Sequence, residues 1–90
     1  MKKYVIERNV AGIGESDASE LSNIARQSND ALAKLSPRLQ WQQSYVAGDK
    51  TFCIYLAEDE AAIRAHADIS GFPATRITPI SKVIDPTTAN

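Results

Sequence analysis

Ninety residues suffice for one small domain with a thin core, so the chain is expected to be a single domain over 1–90. The formal net charge of −1 and the scatter of basic residues argue against nucleic acid or an anionic membrane as partner. A single cysteine excludes an internal disulfide and any multi-cysteine zinc motif. The segment MKKYVIERN has only a short apolar patch cut by Glu7 and Arg8, unlike a signal peptide. No run approaches the ~18 apolar residues of a membrane span, so a reducing cytoplasm is the expected location.

Residues 3–9 (KYVIERN) alternate and carry Tyr4, Val5 and Ile6, which suits a strand. Gly12 and Gly14 break the chain. A helix is predicted from about Asp17 to Leu35, with Ala18, Leu21, Ala25, Ser28, Leu32 and Leu35 on one stripe. Asp17 followed by Glu20 has the spacing of a capping box, and Pro37 marks the exit. Residues 39–47 and 50–57 read as strands joined by a tight turn at Gly48-Asp49. A second helix spans roughly Asp59 to Ser70, with Ala62, Ile63, His66, Ala67 and Ser70 inward and Gly71-Phe72-Pro73 ending it. The last strand is placed at about 76–84, with Pro79 favouring an edge; residues 86–90 are expected to be extended or frayed.

The order β-α-β-β-α-β predicts an α+β, ferredoxin-like fold: a four-stranded antiparallel sheet with both helices on one face. The hairpin register pairs Tyr45 with Phe52, Gln43 with Ile54 and Trp41 with Leu56 on one face, assigned here to the helix-covered core. The other face would carry Gln42, Ser44, Val46, Thr51, Cys53 and Tyr55, with Val5, and be left open. Its mixed character predicts a homodimer packed through the open sheet face, as in dimeric α+β barrels.

Chemistry is sparse. Period two, with Ile6 inward, sends Glu7 to the same side as Cys53, where a carboxylate beside a thiol could hold a metal with Tyr55 nearby; a lone cysteine is also a small hydrophobe. His66, the only histidine, could serve as base or ligand, or be a core imidazole bonded to a carbonyl. Trp41 and Tyr45 are read as packing whose polar tips seek partners. Glu58, Asp59 and Glu60 suit a helix start. Arg8, Arg64 and Lys82 are read as solvated charges. No phosphate loop, zinc-protease helix or nucleophile elbow is present.

The combination of YVIER, W-x-x-SYV, the DKTFCIY strand and AEDEAAIRAHADISGFPATRI resembles a family of short bacterial proteins. Once called a domain of unknown function, it is now described as nickel-responsive or nickel-binding. The resemblance runs over nearly the whole chain and implies a ferredoxin-like homodimer whose members can bind nickel. It matches at Glu7, Trp41, Tyr45, Cys53, Tyr55, Asp59, Glu60 and His66, without fixing which of these hold metal. Cys53, His66 and Glu7 are the chemically reasonable ligands.

Two other functions are set against non-enzymatic nickel buffering or stress response. One is a small cofactor-free enzyme (oxygenase- or isomerase-like) with His66 as acid–base residue and Trp41 and Tyr45 shaping its pocket. The other is a module binding a small ligand through Trp41, Tyr45 and Tyr55.

Overall fold

A computed structural model describes residues 1–90. The elements are β1 (Lys2–Asn9), a 3-10 turn at Ile13–Glu15, α1 (Ala18–Leu35), β2 (Leu39–Ala47), β3 (Lys50–Ala57), α2 (Glu60–Ser70), β4 (Arg76–Pro79) and a final 3-10 turn at Pro86–Ala89. The sheet runs β2-β3-β1-β4 with every neighbouring pair antiparallel, the ferredoxin-like order.

Local chemistry sets the element ends. At α1 the Asp17 carboxylate accepts from the Glu20 amide at 2.8 Å, and the Glu20 carboxylate accepts from the Asp17 amide at 3.2 Å. This reciprocal capping box satisfies amides that the helix itself leaves free. At α2 the Asp59 carboxylate accepts from the Ala62 amide at 2.9 Å. Gly71, at φ 81°, closes that helix in the left-handed conformation. β4 is an edge strand of four residues, shorter than its alternation suggested, and it stops at Pro79, whose missing N–H suits an edge. At the chain end Asp85 caps Pro86–Ala89, accepting from the Thr87 amide at 2.8 Å.

The two sheet faces are the reverse of the expected assignment. β1 pairs with β3 so that Tyr4 lies opposite Tyr55, Ile6 opposite Cys53 and Arg8 opposite Thr51. These residues lie under the helices, and all six are buried. Cys53 and Tyr55 therefore belong to the core, not to the open face. Phe52, Ile54 and Leu56 point the other way and are half-buried. The physical reason is a shared core. Phe52, Ile54 and Leu56 are strongly hydrophobic, but the other side sets Tyr4, Ile6, Leu39, Tyr55 and Ala57 against Ile63 of α2, with Leu32 and Leu35 of α1 packed on them.

One local irregularity changes the outcome for Trp41. The hairpin keeps its expected register from Ala47↔Lys50 to Gln43↔Ile54, then shifts between Trp41 and Gln43. Trp41 thus faces Tyr55 rather than Leu56, and the bulge turns its ring under the helices. The helix stripe of α1 is also rotated slightly. Ser28 and Ala31 are buried and Ile24, Ala25, Leu32 and Leu35 half-buried, while Ala18 is exposed.

The β1–α1 connection is tied to the Gly48-Asp49 turn. Val10 and Gly14 donate their amides to the Asp49 and Gly48 carbonyls at 2.8 Å each, and Gly12 donates to the Asp49 carboxylate at 2.8 Å. A Cβ at Gly14 would stand 2.7 Å from the Gly48 carbonyl oxygen. Gly14→Ala is accordingly expected to destabilise the chain by about 1–3 kcal/mol, measured by urea unfolding, because backbone must shift on one side or the other.

Candidate functional site

A cavity of about 250 Å³ lies between α1 and the helix-covered side of the sheet. Leu21, Ile24 and Ala25 of α1 form one wall, and Trp41, Val46, Cys53 and Tyr55 of the sheet form the other. The tied-down β1–α1 connection contributes Val10 and Ile13. Leu21 and Val46 are themselves 37 % and 44 % exposed, so the cavity is reached from solvent along this side.

Its polar groups are few. Trp41 donates its indole N–H to the Ser44 hydroxyl at 2.9 Å. The Cys53 thiol lies 3.5 Å from the Thr51 hydroxyl. Burial pushes the Tyr55 phenol up, partly offset by Ser28 and Arg8 beside it. Arg8 lines the cavity and is only 4 % exposed, so it is not the solvated charge that its sequence neighbourhood suggested. Its Nη1 donates to the carbonyls of Pro73 at 2.8 Å and Phe72 at 3.4 Å. Its Nη2 is buried without a partner. The signal was present in the sequence: Tyr4, Ile6 and Arg8 share the period-two face of β1.

His66 is fully buried behind this cavity, its ring 5.5 Å from that of Tyr55. Nε2 sits 3.2 Å from the Ser28 hydroxyl and 3.3 Å from the Ser28 carbonyl, while Nδ1 has no partner. The Nε2–H tautomer satisfies that carbonyl and leaves Nδ1 as a bare lone pair. Protonation would bury an unpaired N–H, so burial lowers the pKa, the Ser28 carbonyl opposes this, and the charge of Arg8 lowers it further.

A stability consequence follows from the sign of that shift. In the unfolded chain His66 takes a proton near its ordinary value of 6.5, whereas the folded chain takes it only at lower pH. Below 6.5 the unfolded state binds more protons, so stability falls with falling pH. Thermal denaturation between pH 7.5 and 5 is expected to show this decline, and His66→Gln to flatten it.

The three candidate metal ligands are not brought together. Glu7 alternates to the open face, opposite in sense to Cys53, and is held 2.9 Å from the Lys50 ammonium. That hydrogen bond, opposed by partial burial and aided by the charges of Lys50 and Arg76, keeps its carboxyl below the usual range. Cys53 and His66, by contrast, lie on the same side of the sheet, with Tyr55 beside the imidazole. No three His, Cys, Asp or Glu side chains converge anywhere in the chain. Asp59 is used as a helix cap, and Glu60 pairs with Arg64 at 3.4 Å. One chain alone therefore does not fit a nickel ion. Of the aromatic residues, Trp41 and Tyr55 line the cavity and Tyr45 does not; it is 56 % exposed on the other face.

The family model for nickel responsive proteins like SCO4226 matches residues 4–80. The chain belongs to this family. No curated protein matches it. Among solved structures it is similar to the crystal structure of SCO4226 from Streptomyces coelicolor A3(2), with a TM-score of 0.71 and 16 % identity. That likeness covers 91 % of this chain and 99 % of the other, and at this identity it establishes the α+β fold. No helix of this family member is long and apolar enough to cross a membrane.

Proposed function

We propose that the protein is a non-enzymatic nickel-responsive factor that binds the metal weakly, as a homodimer, in buffering or stress response. The observation that carries this reading is the family match over residues 4–80. Of the three candidate donors only Glu7 lies on the open sheet face, where a second chain would be seated. Donors of that chain could complete a nickel site there without opening the core, and carboxylate is an acceptable nickel ligand. Calorimetric titration with nickel tests the reading. Binding tighter than about 1 mM is expected. Glu7→Gln should weaken it about 10-fold, while Cys53→Ser and His66→Gln leave it unchanged. No binding at millimolar nickel would end the proposal.

A second reading, a small-molecule-binding module, is favoured by the cavity between α1 and the sheet. Pockets that are largely apolar with a few convergent polar groups are the usual form of small-ligand sites. The enzyme alternative would route chemistry through His66, which does not line the cavity and contacts it only through Ser28 and Tyr55.

A further inference from the structure

We infer that the α1–sheet cavity takes a small organic carboxylate, its apolar body between the helix and the sheet and its carboxylate on Arg8. This rests on the reading of the cavity as a ligand site and adds the ligand's chemical class.

Arg8 is the reason. Its guanidinium is buried, and none of the chain's three ion pairs includes it. Nη1 is anchored on the carbonyls of Phe72 and Pro73, which fixes the plane of the group, while Nη2 is left buried and unpaired. A buried cation without a counter-ion is costly, and natural chains rarely keep one without use. The planar fork of a guanidinium matches the two oxygens of a carboxylate.

The remaining lining selects among anions. It holds no acidic side chain and no second cation, only hydroxyls such as Thr51 and Ser44 among aliphatic and aromatic residues. One positive charge suits a monoanion rather than a phosphate dianion. The apolar walls call for a hydrocarbon or aromatic body. At about 250 Å³ the cavity lies below the roughly 300–1,000 Å³ of drug-sized sites, so the ligand is small.

Trp41, the only tryptophan, lines the cavity and reports occupancy by its fluorescence. The probes are phenylacetate, hexanoate and the neutral isostere phenylacetamide, each titrated to about 10 mM. Phenylacetate is expected to give a saturable change about 10-fold or more tighter than phenylacetamide. Arg8→Met should bring acid and amide within about 2-fold of each other, with the circular dichroism of the native chain retained. The acid–amide ratio in the wild-type chain decides the matter even if that variant fails to fold. Ala25→Phe, which fills the cavity from α1, should abolish the response and so place it there. Equal affinity for acid and amide would overturn the carboxylate assignment while leaving the cavity a ligand site. No saturable response to any of the three probes would overturn both.

Discussion

Replacing Ile6 with alanine is expected to lower the unfolding free energy by about 2–5 kcal/mol, read as a fall in the urea midpoint at unchanged slope. Ile6 is 0 % exposed on β1, opposite Cys53 on one side and Ile77 on the other. Truncation would leave a void in the buried cluster that Ile6 shares with Tyr4, Cys53, Tyr55 and Ile63. A small domain is stable by only about 5–15 kcal/mol, so the variant stands close to the limit of folding. Val5→Ala, one residue earlier, provides the contrast. Val5 is half-buried on the open face opposite Ile54, and its truncation is expected to cost less than about 1.5 kcal/mol. Equal losses at the two positions would contradict the assignment of faces.

Phe52→Glu is expected to leave the chain folded and to separate the proposed dimer. Phe52, Ile54, Leu56 and Val5 form a half-buried apolar strip on the face that no helix covers. Glu7, Lys50 and Arg76 cluster at its Phe52 end. In a two-fold interface every substitution occurs twice, and a carboxylate forced against an apolar copy of itself loses hydration without gaining a partner. Dissociation should strengthen by about 100-fold or more, the equivalent of roughly 3 kcal/mol. Sedimentation would show the wild-type chain as a dimer and the variant as a monomer at the same micromolar concentration. The melting temperature of the variant would also lose its dependence on protein concentration. A wild-type chain that sediments as a monomer would end the dimer proposal.

The nickel and carboxylate proposals concern opposite faces of one sheet. Glu7 and Arg8 are adjacent in sequence yet point apart. If both proposals hold, one strand would carry metal chemistry toward a second chain and anion chemistry toward the helices. Nickel titration of Arg8→Met and phenylacetate titration of Glu7→Gln would show whether the two are independent.

Both helices were legible because their ends are chemical statements. Asp17 with Glu20 and Gly71 with Pro73 mark boundaries that hydrogen bonds then fulfil. The tight turn was legible for the same reason: Gly48 accepts a φ of 60° that few residues tolerate. Strand order followed from chirality and the order of elements. The candidate site was less legible. Arg8 was visible in the alternation of Tyr4 and Ile6, but a charged side chain reads as solvated until its carbonyl partners, 64 and 65 residues away, are in place.

The amino-acid pattern by itself therefore determined the elements, their order and the existence of one uncovered side on a four-stranded sheet. All of these depend on neighbours in the chain, on caps, turns and period. Which side was uncovered was a tertiary decision. Apolarity favoured covering Phe52, Ile54 and Leu56, but the helices pack on the side where Tyr4, Ile6, Leu39 and Tyr55 form one cluster with Ile63. That choice buried Cys53, Tyr55 and His66, left Glu7 outside, and enclosed Arg8 beside a cavity. A bulge between Trp41 and Gln43 then turned Trp41 toward the same space.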